Sequence, residues 1–99
     1  MSAQDFKSGY GLVYCSVMRD KSLTPEAKAI YAYLCAFAGA GETCYPSTGL
    51  MQSELKMSKD RFYRHIVYLE RAGIVTKERT KNGNRWGPIL YKLNHSPGK

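Results

Sequence analysis

With 99 residues, 43% of them hydrophobic and 23% charged, the chain has material for one modest core, too little for two, and too much for wholesale disorder. No apolar run reaches the roughly 18 residues that span a bilayer, and Met1 to Ser8 carry neither a basic start nor an apolar stretch, so a soluble cytoplasmic protein with no membrane partner is expected. The net charge of +7 favours a polyanionic partner and is uneven: from Lys56 to Arg85 nine basic residues stand against three acidic ones, a surplus of six.

Three cysteines, Cys15, Cys35 and Cys44, and two histidines, His65 and His95, match neither a zinc site nor a disulfide framework. Reduced thiols are the expectation.

In chain order, residues 1–9 read as a flexible arm. Gly9 to Met18 is rich in β-branched and aromatic residues and predicts a short N-terminal strand or extended segment. Thr24, Pro25 and Glu26 then supply a hydroxyl cap, a proline where the N–H would go unpaired, and an acid near the positive dipole end. Ala27, Ile30, Tyr31, Leu34, Phe37 and Ala38 recur at helical spacing as a buried face, and Gly39 and Gly41 stop that helix.

Ser47 predicts the cap of a second, shorter helix with Leu50, Met51 and Leu55 inward. The pattern breaks at Lys56 and Met57. Ser58 caps a third helix, Lys59 to about Ala72, with Phe62, Ile66 and Leu69 on one face and Gly73 as its stop. Strands over Ile74–Thr80 and about Ile89–Leu93, joined by a basic stretch containing Asn82, Gly83 and Asn84, predict a β-hairpin. Residues 10–94 thus form one domain, mainly α with a small β-sheet (α+β): three helices, a hairpin wing and a short N-terminal strand. Residues 95–99 read as a tail or linker stump.

Helix, tight turn and helix place the second of the pair in the major groove, where base edges show a distinct donor and acceptor pattern. Around the third helix, with Phe62 inward, Asp60, Arg64, Val67 and Arg71 point away, and Lys59, Arg61, Tyr63 and Tyr68 lie on the flanks. Arginine can grip a guanine edge or a phosphate, lysine supplies a point charge, and Tyr63 offers a hydroxyl and a flat ring. Asp60 could accept from a cytosine amino group or stabilise the helix start through the dipole.

From about Tyr10 to Thr80 the chain resembles the winged helix-turn-helix domain at the N-terminus of replication initiator and replisome-organiser proteins of phages, plasmids and mobile elements in Gram-positive bacteria. The resemblance rests on Val17-Met18-Arg19-Asp20-Lys21, on Leu23-Thr24-Pro25-Glu26-Ala27-Lys28 with Ile30-Tyr31-Ala32-Tyr33-Leu34, on Cys44-Tyr45-Pro46-Ser47, and on Met57-Ser58-Lys59-Asp60-Arg61-Phe62-Tyr63-Arg64. It implies a wing formed by the hairpin after Gly73, duplex DNA as ligand, and recognition-helix positions at Ser58 to Arg64. Initiators of this kind usually carry a further domain for oligomerisation or helicase-loader contact.

The expected DNA-binding residues are Ser47, Ser58, Lys59, Asp60, Arg61, Tyr63, Arg64, Tyr68, Lys77, Lys81, Asn82 and Arg85. At least one of Arg61 and Arg64 is expected to read a base, and Lys81 and Arg85, flanking the hairpin tip, to hold backbone or the adjacent minor groove. Expected partners are double-stranded DNA, with a homodimer on the duplex and replication proteins as further candidates. A transcription regulator of the same fold and a winged-helix protein-interaction module stand as alternatives. An enzyme would need a nucleophile with its base, paired carboxylates or a metal cluster. The cysteines instead read as small core residues, and His65 as a hydrogen-bonded core histidine or a phosphate contact. Neither catalysis nor a cofactor or metal is expected.

Overall fold

A computed structural model describes residues 10–39 and 41–94; the expected arm, residues 1–9, and the expected tail, residues 95–99, lie outside them. The expected N-terminal strand is absent. Residues 10–14 have no regular structure and lead into one helical turn, α1 (Cys15–Met18). The backbone hydrogen bonds explain why. Tyr14 donates its N–H to the hydroxyl of Tyr31 at 3.0 Å, and its carbonyl accepts from Val17 and Met18, both at 3.1 Å, so both backbone groups of Tyr14 are engaged without a strand partner. Gly11 lies so near the following long helix that a Cβ there would sit 2.0 Å from the Cys35 carbonyl oxygen. Val17 is buried, but Cys15 is exposed and does not serve as a core residue.

α2 (Pro25–Ala38) begins as its residues dictate, with Thr24 accepting from the Ala27 N–H at 3.1 Å and proline in the first turn. Gly39, at φ 61°, ends it. Ala27, Ile30, Tyr31, Leu34 and Cys35 are buried, whereas Phe37, expected inside, is 46% exposed. Phe37 lies instead against Tyr33, ring centroids 4.9 Å apart. α3 (Thr48–Leu55) starts at Ser47, which accepts from Leu50 at 3.1 Å. Only Met51 is fully inside this short helix; Leu55 is half-buried and Leu50, also expected inside, is exposed. One buried position per turn suffices for eight residues lying on the rim of the core. α4 (Lys59–Arg71) follows Lys56, which takes the left-handed conformation at φ 56° and makes the tight turn. Met57, buried, closes that turn by donating to Gln52 at 3.0 Å. Ser58 caps α4 by accepting from Arg61, and Phe62, Ile66 and Leu69 are buried as their spacing predicts. At its end Gly73 and Ile74 donate back to Glu70 and Leu69, and Ile74 joins the core.

The sheet is antiparallel, with β1 (Thr43–Cys44), β2 (Val75–Asn82) and β3 (Arg85–Leu93) in the order β1-β3-β2. Cys44 buries its thiol and donates it to the Leu34 carbonyl at 3.4 Å, and burial pushes the thiol up to about 11. Such a thiol is a packing group rather than a nucleophile. Val75, Tyr91 and Leu93 meet the helices from the sheet's inner face. The hairpin is longer than its sequence predicts, with a two-residue loop, Gly83-Asn84, and paired strands through the whole basic stretch. The second strand, expected from about Ile89, begins at Arg85, and Gly87 and Pro88 stand within it opposite Thr80 in a bulge between Arg79 and Lys81. The Thr80 hydroxyl donates to the Pro88 carbonyl at 2.7 Å, and Pro88 sits beyond the two residues of β1, where no ladder needs its missing N–H. No helix among the described residues is long and apolar enough to cross a membrane.

Polar side chains clasp α2 to its neighbours. His65 of α4 places Nδ1 2.8 Å from the Thr24 hydroxyl and Nε2 3.3 Å from Glu26 Oε2, which also receives Arg61 Nε at 3.4 Å. With the ring proton on Nε2 every group is satisfied: the Thr24 hydroxyl donates to Nδ1 while accepting from Ala27, and Nε2–H and Arg61 both donate to the carboxylate. Tyr33 donates to Glu54, tying α2 to α3. A hydrogen bond from its own backbone N–H, aided by the charge and hydrogen bond of Arg61, holds the Glu26 carboxyl below its ordinary 4.5. The side-chain and backbone donors of Ser22 do the same for Asp20, ordinarily 3.8.

Two outcomes follow for stability. Phe62→Ala is expected to cost about 3–5 kcal/mol, close to the whole stability of so small a domain; a thermal melt indistinguishable from the parent's would overturn the register of α4. The lowered carboxyls contribute stability that is complete above their ordinary values and is lost as pH falls through the folded ones. Melting temperature is therefore expected to hold down to about pH 5 and to fall below about pH 4. Glu26→Gln, which keeps an acceptor but no charge, is expected to show a shallower acid limb, and an unchanged limb would remove Glu26 from the account.

Candidate nucleic-acid interface

The Lys56 turn and the Ser58 cap aim the start of α4 outward, because Phe62, Ile66 and Leu69 hold the opposite side in the core. Lys59, Asp60, Arg61, Tyr63 and Arg64 are consequently all exposed on its first two turns. They are not equivalent. Arg61 is tethered to Glu26 while remaining 51% exposed at its side chain, whereas Arg64 has no ion-pair partner among the described residues. Tyr63 packs its ring edge-on to Phe62, at 5.4 Å, and stays 37% exposed. Tyr68 lies further along the helix with its ring 5.9 Å from that of His65, away from the group at the helix start. Val67, expected to point outward, is half-buried.

Ser47 and Ser58 each accept a backbone N–H at a helix start, which leaves each hydroxyl proton free for an outside acceptor. Ser47 also lines a shallow depression with Thr48, Arg79 and Ile89, so the start of α3 and the middle of the hairpin share one surface.

Lys77 of β2 reaches α4, its Nζ 3.1 Å from Glu70 Oε1 and 5.8 Å from the Tyr63 ring centroid. Val75, paired with Leu93, is buried against the helices, so strand alternation puts Lys77, Arg79 and Lys81 on the same side of β2. Both outer members converge on Trp86, Arg79 at 5.9 Å and Lys81 at 5.2 Å from its ring centroid. Arg85, expected to act with Lys81, pairs in register with Asn82 and belongs to the alternate side of β3. Asn82 is the last residue of β2.

Arg79 and Trp86 were not legible as part of this surface. A hairpin closed at Gly83-Asn84 puts Lys81 opposite Trp86 by simple counting, but Gly87 and Pro88 conceal that the strand runs on. Among the described residues no group of three or more His, Cys, Asp or Glu is placed to hold a metal ion.

Comparison with known proteins matches a family model described as a helix-turn-helix domain to residues 21–75. No curated protein and no solved structure matches the chain. The matched span runs through α2, α3 and α4 to the first residue of β2 and leaves the hairpin outside it. Since that span exceeds half of the sequence and contains the two helices and the turn just described, the chain belongs to the helix-turn-helix domain family, a DNA-binding family here completed by a three-stranded sheet into a winged helix.

Proposed function

We propose that the domain binds double-stranded DNA with α4 in the major groove and the β2–β3 hairpin as a wing on the neighbouring backbone or minor groove, and that it serves replication initiation on a mobile element. The observation that carries the DNA reading is the run of exposed cations Lys59, Arg61 and Arg64 on α4, whose other face is committed to the core, continued by Lys77, Arg79 and Lys81 along β2. The process rests on the resemblance of the segments around Thr24 and Ser58 to replication initiators. A second copy on the duplex and replication proteins are the further partners, and no catalytic step is assigned.

The geometry favours a division of roles. Arg64 is the base reader, free to offer its planar fork to a guanine edge. Arg61, held by Glu26, suits a phosphate, as do Lys59 and the hydroxyls of Ser47 and Ser58. Tyr63 lies against backbone or a thymine methyl, with Tyr68 at the margin. Asp60, in the first turn of α4, stabilises the helix start or accepts from a cytosine amino group. Lys77, Lys81, Asn82 and Arg85 hold the duplex without selecting it.

Titration of a labelled mixed-sequence duplex at several salt concentrations tests the reading, with log affinity expected to fall by about 0.9 per phosphate contact for each unit of log salt. Absence of binding at low salt would overturn it. On a selected target, Arg64→Ala is expected to lose about 1–3 kcal/mol of discrimination against a scrambled duplex. Lys81→Ala with Arg85→Ala is instead expected to weaken both duplexes alike and to flatten the salt slope by up to about two. Selection from random duplexes checks the process: enrichment of sites from an element's own origin is expected, and enrichment of promoter sites would favour a transcription regulator.

A further inference from the structure

The wing carries a feature that gripping phosphate does not require. Trp86 is the sole tryptophan of the chain and is 63% exposed near the hairpin tip. A lone exposed aromatic is ordinary on a protein surface. Here, however, the backbone is bent to put it where it is. Counting back along β3 from Leu93, Tyr91 and Ile89, which share the inner face, unbroken alternation would send residue 86 to the outer side with Leu90 and Lys92. The extra residue in the Gly87–Pro88 bulge reverses the alternation and returns Trp86 to the side of Lys77, Arg79 and Lys81. The bulge is specifically accommodated: a Cβ at Gly87 would lie 2.3 Å from the Thr80 hydroxyl, and that hydroxyl closes the bulge on the Pro88 carbonyl.

The neighbours of the ring state what it suits. Arg79 and Lys81 stand over it at 5.9 and 5.2 Å, so the exposed indole is bordered by positive charge instead of further apolar surface. A flat apolar ring beside two cations complements a surface on which sugars and base edges lie next to phosphates, as along the minor groove of a duplex.

From this we infer that Trp86 is the wing's apolar contact to duplex DNA, laid against the deoxyribose walls of the minor groove beside the α4 site, with Arg79 and Lys81 on the flanking phosphates. The inference rests on the DNA-binding reading above and assigns the wing a contact that salt does not screen.

Because no other tryptophan is present, emission excited at the red edge, where the tyrosines do not absorb, reports on this position alone. Titration of the whole chain with a selected duplex, followed by Trp86 emission and by anisotropy of the labelled duplex, is expected to give one saturating curve with the same Kd by both signals. Trp86→Ala is expected to weaken binding about tenfold while leaving the salt slope unchanged, because no charge is removed. Trp86→Phe is expected to recover most of the loss, and Arg79→Ala to flatten the slope by about one. Binding by anisotropy with silent emission and an unaffected Trp86→Ala protein would overturn the inference and leave the DNA reading standing. No binding by either signal at low salt would overturn the DNA reading itself. A single-stranded oligonucleotide that outcompetes the duplex, or polyglutamate that shifts the emission as strongly, would also overturn the inference, reassigning the ring to unpaired bases or to an acidic protein.

Discussion

The orientation of α4 against α2 is the constraint on which the surface depends. Apolar packing sets the depth of that contact, with Ala27, Ile30, Phe62 and Ile66 all fully buried, and the single apolar face of α4 also sets its rotation. The polar clasp holds the same orientation from the edge of the core. Thr24 uses one hydroxyl both to start α2 and to hold His65, and Glu26 receives His65 and Arg61 from two successive turns of α4. A helix fixed at two points a turn apart cannot rotate without leaving a half-buried carboxylate or imidazole poorly paired. The residues that open α2 therefore reinforce the side of α4 that faces outward, although they lie some forty positions earlier in the chain.

The same clasp separates two arginines that look interchangeable one turn apart. Arg61 is partly neutralised and held by Glu26, and Arg64 has no ion-pair partner among the described residues. A tethered guanidinium loses less entropy on meeting an anion but has a fixed direction, which suits a phosphate whose position is independent of sequence. The bond from Arg61 Nε to Glu26 leaves the Nη groups of Arg61 available but restricts the direction in which they can be offered to a base edge. The preference for Arg64 as reader thus follows from a residue of another helix, which helical spacing within α4 could not reveal.

How much was legible in the sequence divides along the range of the interactions. Thr24, Ser47 and Ser58 were readable as caps because capping is settled within three or four residues, and Phe62, Ile66 and Leu69 because one helix face repeats at a fixed period. Tyr10 to Tyr14 were not, because whether a β-prone segment pairs depends on a free strand edge, and here the Tyr31 hydroxyl, 17 residues on, takes the Tyr14 N–H instead. Phe37 and Leu50 look inward by period but fall at the rim, where the core no longer covers a helix face. The wing was half readable: its existence and its tip followed from the turn residues near Gly83, but the bulge that turns Trp86 round is visible only once the two strands are in register.

Register also gives the charge surplus a side. Lys77 shares the inner side of β2 with Arg79 and Lys81, and Glu78 belongs to the opposite side with Thr76. That outer side forms a depression with Glu42, Lys92 and Tyr14, in which acids and a cation are mixed. Of the three acids in the basic half, Glu70 is engaged with Lys77 and Glu78 is on the outer side, which leaves Asp60 at the start of α4 as the one negative group within the cationic run. Its place in the first turn offsets part of that repulsion, since the unpaired N–H groups there favour a carboxylate. The composition alone describes a basic protein; the fold gathers Lys59, Arg61 and Arg64 at the start of α4 and Lys77, Arg79 and Lys81 on one side of β2, and charge concentrated in this way can orient an approaching polyanion as well as attract it.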